Sequence, residues 1–419
     1  MAKRVVIAGG GPAGAAAAIA AARAGAQAIL VERYGFLGGM ATAALVHPWM
    51  PYYAGDRPII GGVFGEIVQR LKARNAYKDS RHFASIHHCF DPEQLKLVLQ
   101  QLALEAGVKL LLHSLVVGAR VEGGQVTGLF LESKSGRELL EGEVIVDATG
   151  DGDVAFFAGA EHEKGRPGDG LMQPMSLNFR MGGVEVARMP SREEMNALYE
   201  QGKQEGLINN PRENLLWFDT TRPDEIHFNT TRVVMADGTN RDDLTRAELE
   251  SRRQTDELVS FLRARVPGFE RSYLLTTGPQ VGVRETRRIL GEYVMTAEDV
   301  LEARKFPDQI AFGCYPIDIH NPAGTGTEIR TLKPGEFYGI PYRCLVPRRL
   351  EGLLVAGRPI STTHEAHAAT RVQVIAYATG HAAGVAAALA ASQGLPPRQV
   401  NVSEVQALLR RQGAILDTE

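Results

Sequence analysis

The residues best equipped for chemistry lie near the two ends of this chain. Close to the start, Gly9-Gly10-Gly11-Pro12-Ala13-Gly14 has the spacing G-x-G-x-x-G. It follows the apolar, largely β-branched run Val5-Val6-Ile7-Ala8 and leads into an alanine-rich stretch closed by Gly25. A strand, turn and helix of this kind hold a dinucleotide pyrophosphate. Gly9 permits the tight turn, Gly11 lets a phosphate approach the backbone, and Gly14 lets helix and strand pack closely. The free N–H groups of the first helical turn, where Ala13 stands, face the anion at the positive end of the helix dipole. A second strand, Ala28-Ile29-Leu30-Val31, ends in Glu32, 18 residues after Gly14. A carboxylate there accepts hydrogen bonds from ribose hydroxyls. Near the other end stand His364, His367 and Arg371, and Arg284 belongs to the basic run Arg284-Glu285-Thr286-Arg287-Arg288. A histidine can move a proton near neutral pH, and a guanidinium fork can grip a carboxylate. Each also has a plain structural reading: a hydrogen-bonded core histidine, or a solvated strand with Arg284, Thr286 and Arg288 on one face.

These residues need elements to position them. The strand, glycine turn, helix, strand and acid occur in order within the first 32 residues, which is a βαβ unit of a parallel sheet. Asp91-Pro92-Glu93 has the form of a helix start, and Leu95, Leu99 and Leu102 recur at helical spacing up to Gly107. Strands follow at 108–112, 116–121, 125–131 and 144–146. Ser191 with Glu194 fits a capping box for a helix to about Gly206, and a second amphipathic helix spans about 242–265. Ala236-Asp237-Gly238 reads as a turn. A strand at 353–356, a loop from Pro359 to Thr370 and a long helix from about Arg371 to Ala391 come later. Ser403 with Gln406 suggests a last capping box.

Composition narrows the class. The chain has 419 residues, enough for two or three domains. Apolar residues at 44% and charged residues at 23% describe a globular chain rather than a disordered one. A net charge of −3 lacks the basic excess of a dedicated nucleic-acid binder. The three cysteines Cys89, Cys314 and Cys344 form no CxxC, so no metal or cluster is expected; a reducing, cytoplasmic setting fits. His82, His87, His88 and Cys89 match no metal spacing well. The apolar N-terminal run is broken by Gly9, Gly10, Gly11, Pro12 and Gly14, unlike a secretory leader, and no membrane span is expected.

The choice of dinucleotide turns on a second glycine-bearing loop directly after Glu32, Tyr34-Gly35-Phe36-Leu37-Gly38-Gly39-Met40-Ala41-Thr42. It would run along a cofactor beyond the pyrophosphate, which suits the longer FAD and brings Arg33, Gly39, Met40 and Ala41 to it. With this loop the sequence resembles the FAD-dependent oxidoreductase family of the glutathione-reductase-like flavoprotein superfamily. Three more segments carry the resemblance: Asp147 to Ala155, the basic cluster Val281 to Arg288, and Leu353 to Val372. The resemblance implies an α/β fold, a Rossmann-like FAD-binding domain with an inserted α+β substrate domain. The FAD-binding parts would be 1–155 and 326–419, and the substrate or cap domain 156–325. It also implies cofactor contacts at Val116 (adenine), Gly150, Gly357, Arg358 and Val372, the last where the long helix begins beside the flavin.

The resemblance has limits that inform the chemistry. One G-x-G-x-x-G leaves no separate NADPH domain, and Tyr34 to Leu37 has no histidine for covalent attachment, so FAD is expected to be non-covalent. The Arg-x-Gly-Gly-Arg of amine oxidases and the tryptophan pair of flavin halogenases are absent. The expectation is hydride transfer between a small organic substrate and FAD, with Arg284 or Arg371 orienting an anionic group and His364 or His367 handling a proton; His47 is a further candidate. A reductase or monooxygenase needing an external reductant, and a flavin-binding protein without turnover, stay open. The electron acceptor is unknown.

Overall fold

The computed structural model describes residues 3–82 and 85–417. Its centre is a five-stranded parallel sheet, in spatial order Leu353–Val355, Val144–Asp147, Arg4–Ala8, Gln27–Val31, Lys109–Leu111. The order reverses at the first strand, so a crevice opens beyond Ala8 and Asp147, which are paired in register.

Alternation along the strands sends side chains to both faces. Val5 and Ile7 join a core built largely from two alanine-rich helices, Pro12–Arg23 and Gln373–Gln393. Val6 and Ala8 join a second core under a three-stranded antiparallel sheet, 115–122, 125–133 and 136–141. Small residues let the two helices meet backbone to backbone. A Cβ on Gly380 would lie 2.0 Å from the Ala13 carbonyl oxygen, and one on Gly384 2.1 Å from that of Ala17. The long helix therefore packs on the glycine-loop helix as well as on the sheet. It is also long and apolar enough to cross a membrane, against the expectation that no stretch qualifies, but 89% of its apolar window is buried in protein.

A second layer rises over the crevice. Strands Trp217–Asp219, Ile226–Phe228, Phe179–Gly182 and Tyr273–Thr277 form an antiparallel sheet in that order. Helices Arg192–Gln204 and Arg241–Arg265 supply Met195, Tyr199, Leu258, Phe261 and Leu262 to its separate core. The Ser191 capping box forms: Glu194 N–H donates to Ser191 Oγ at 3.3 Å, and Ser191 N–H to Glu194 Oε2 at 2.8 Å. The chain rejoins the first core by Met295, Val300, Ile310, Phe312 and Ile317.

Several local expectations change. The strand Gly136–Glu141 has no counterpart in the sequence reading; its face is mostly exposed, so it lacks apolar alternation. Residues 359–370 are not all loop. Thr363 caps a short helix, His364–Thr370, and extended Val372 breaks it from the long helix, which starts at Gln373. Asn401, not Ser403, caps the last helix, accepting from Ser403 N–H at 3.0 Å. Of the basic run only Arg287 and Arg288 lie in a strand, Arg287–Ile289, so Arg284 and Arg288 do not share a face.

Candidate functional site

The crevice continues into one cavity of about 700 Å³ that runs from the glycine loops to the second layer. At its first end the wall is backbone. Gly9, at φ 95°, donates its N–H to Val31 O at 2.8 Å. A Cβ on Gly14 would lie 1.7 Å from Gly9 O, so helix and turn are in direct contact. Gly14 thus lies behind the cavity wall, which Gly9, Gly11, Pro12 and Ala13 form. The second loop stacks on the first: Gly38 N–H donates to Gly10 O at 2.8 Å, and a Cβ on Gly39 would lie 2.7 Å from Gly11 Cα.

Glu32 is fixed between the loops. Gly10 N–H donates to its Oε2 at 2.6 Å and Tyr34 N–H to its Oε1 at 2.9 Å. Burial pushes its pKa up, while those two N–H groups pull the other way. Gly39, Met40, Arg33 and Gly150 also line this end. So do Gly357 and Arg358, whose Nε donates to Gly150 O at 2.7 Å and which pairs with Asp151. Asp153 is turned away to Arg287 at 2.9 Å, and burial beside Asp151 and Asp147 raises it to about 6. Val372, at the start of the long helix, reaches the same cavity, so a second helix N-terminus faces it. Ala41 and Val116 do not line the cavity. Ala41 is fully buried beneath the second loop, and Val116 pairs with Leu131 in the antiparallel sheet.

The match to the family model for FAD-dependent oxidoreductases spans residues 4–409. The chain belongs to the FAD-dependent oxidoreductase family. Among solved structures, it is similar to a geranylgeranyl bacteriochlorophyll reductase-like protein, Ta0516, from Thermoplasma acidophilum, with a TM-score of 0.53 and 13% identity over 98% of this chain and 84% of that one. It is also similar to the flavin-dependent brominase Bmp2, with a TM-score of 0.50 and 13% identity over 99% of this chain and 84% of that one. At such identity the likeness concerns the fold. None of the curated proteins compared with it matches.

The cradle fits the family's cofactor. Both glycine loops present backbone, with Gly9, Gly14 and Gly39 placed where a side chain would collide, a helix N-terminus stands at each of two points, and a buried carboxylate sits at the ribose position. FAD supplies hydride chemistry when bound there; the protein supplies position and charge.

At the other end of this flavoenzyme's cavity the wall is side chain. Arg284 donates through one terminal nitrogen to Pro174 O at 2.7 Å and to Ser176 Oγ at 2.8 Å. Burial, then the nearby Arg371, Arg212 and Arg232, push its pKa well below the usual guanidinium value. Asp318 accepts from the Tyr315 hydroxyl at 2.7 Å and lies 3.4 Å from His320 and 3.5 Å from Arg371. Burial opposes its charge, but His320 first, then the Arg371 cation and the Tyr315 hydrogen bond, hold it below the usual carboxylate range. His320, lowered to about 3 by burial and by Arg284, is neutral. Asn178 and Asn229 add amides to the wall. His47 is buried and lowered to about 3; its Nε2 donates to Asp219 O at 3.0 Å.

The structure does not bring His364 or His367 to the cavity. His364 Nδ1 lies 2.8 Å from Glu285 Oε1, and Glu285 also takes Arg288 at 2.6 Å. His367 is fully buried in the short helix, and burial with Arg288 nearby holds it neutral. Arg284 and Arg371 do reach the cavity. The residues not singled out from sequence are Arg212, Tyr315, Asp318 and His320. Asp318 and His320 stand two apart on the strand Ile317–His320, the spacing that puts both on one face.

Proposed function

We propose that this FAD-dependent oxidoreductase moves a hydride between its non-covalent FAD and a small organic substrate carrying an anionic group. The observation that carries the reading is the single cavity joining the nucleotide cradle to a wall of arginines. On this reading Arg284 binds the anionic group, its guanidinium pre-set by Pro174 and Ser176. Asp318 takes the proton released when an alcohol or amine is oxidised, with Tyr315 and Arg371 fixing the carboxylate. His364 and His367 have no part in that step, because neither touches the cavity. The N-terminal end of the long helix at Val372 supplies positive potential beside the cofactor. Membership of the wider glutathione-reductase-like superfamily is part of the proposal, supported by the sheet order and the Ala148-Thr149-Gly150 turn.

The test is an anaerobic absorption spectrum of the FAD-loaded protein, mixed in turn with hydroxy acids, amino acids, alcohols and sugars. Loss of the oxidised flavin band with an organic acid is the expected result. Reduction by NAD(P)H alone, with no response to any acid, would overturn the reading in favour of a reductase or monooxygenase.

A further inference from the structure

The chamber holds more positive charge than it compensates. Arg212, Arg232, Arg284 and Arg371 converge there, and the facing carboxylates are Glu213 and Asp318. Glu213 is taken by Arg232 at 3.0 Å, and Asp318 by Arg371 at 3.5 Å. His320 stays neutral above about pH 3 and adds no charge. Elsewhere on the wall, Arg358 is paired with Asp151, Glu248 with Arg252, and Arg33 sits next to Glu32 in the cradle. Two chamber arginines, Arg212 and Arg284, are left with no carboxylate partner among the described residues.

Arg212 is the more telling of the two. It is 4% exposed, yet one terminal nitrogen has no hydrogen-bond partner, and its Nε reaches only the Asn214 side chain at 3.3 Å. Burial, with Arg232 nearby, lowers it to about 10. A buried guanidinium held this way costs folding free energy unless something negative meets it. It lines the same cavity as Arg284, from a different segment of the second layer. An anion on Arg284 alone would leave Arg212 uncompensated.

We propose that the substrate is an organic dianion, with Arg284 and Arg212 each taking negative charge. A dicarboxylate and a phosphate monoester share that chemistry. The inference rests on the hydride-transfer reading only for the word substrate; the binding site follows from the charges.

The experiment measures thermal stabilisation of the FAD-loaded protein, at fixed ionic strength, by succinate, glycerol 3-phosphate, propionate and 1,4-butanediol. The second charge of a dianion makes one more charge-assisted hydrogen bond than propionate can. Half-saturation is therefore expected at a concentration about tenfold or more below that for propionate, with no saturable effect of the diol. Succinate leading identifies two carboxylates, and glycerol 3-phosphate leading identifies a phosphate ester; either supports the proposal. Arg212→Gln should bring the leading dianion to the propionate level while the visible flavin spectrum is retained. Equal half-saturation by propionate and both dianions would overturn the proposal, as would equal stabilisation by the neutral diol. The wild-type comparison decides this whether or not the variant folds. Binding is read without flavin reduction, so dianion binding with no bleaching by any compound would refute the hydride reading and leave this one standing.

Discussion

The two ends of the cavity are built from different materials. The cradle is backbone: glycines at forced positions, two helix ends and one buried carboxylate, drawn mainly from residues 9–39 and 357–372. The chamber is side chain: Arg212, Arg284, Asp318 and Arg371 come from four separate segments and meet only in the folded protein. A backbone cradle serves any molecule with the same phosphates and ribose. A side-chain chamber can change its substrate without disturbing the sheet. The cofactor is therefore a property of the family, and the substrate a property of this chain.

That contrast can be broken or sharpened by four changes, the largest first. Gly14→Val pushes a side chain into Gly9 O, where even a Cβ would sit 1.7 Å away. We expect destabilisation of about 3 kcal/mol and protein purified without flavin colour; retention of normal FAD would break the cradle account. Asp318→Asn removes the carboxylate we propose as the proton acceptor and leaves Arg371 facing a neutral amide. Stopped-flow flavin reduction at saturating substrate should slow by about 100-fold or more, with FAD content unchanged.

Acid should strike the chamber more than the cradle. Burial holds His47 and His320 at about 3, against 6.5 for a free histidine. The unfolded chain thus binds protons that the folded one refuses. Their contribution is fully present above pH 6.5 and is lost as pH falls towards 3, by up to about 1.4 kcal/mol per pH unit for each. Urea midpoints at pH 7 and 5 measure the loss, and His320→Gln should shrink it. Smallest is Ser191→Ala, which removes the cap from the helix Arg192–Gln204 far from the cradle. It should cost about 1 kcal/mol in denaturant titration and leave the flavin spectrum unmoved.

The same contrast explains what could be read from the sequence. Gly9, Gly11, Gly14 and Glu32 act through local geometry, so their spacing announces a nucleotide site before any contact is known. The capping box at Ser191 and the turn at Gly150 are local in the same way. Arg284 and Arg371 stand out as charges beside plausible motifs. Arg212 and Tyr315 carry no local signal, because their partners lie far away in sequence. Asp318 and His320 have one in the i, i+2 spacing of a short strand, though no neighbouring motif draws attention to it. His364 and His367 mislead for the converse reason. They are close in sequence to the cofactor loop, but Thr363 starts a helix there that turns both into the protein, towards Glu285 and Arg288.

The most direct test of the central claim uses matched pairs of organic acids and their neutral amides, added anaerobically to the FAD-loaded protein while the flavin band is followed. The account predicts that an acid bleaches the flavin and that its amide, at the same concentration, does not. Equal bleaching by acid and amide would contradict the arginine chamber. Bleaching by neither, with NAD(P)H effective, would contradict hydride transfer from an organic acid.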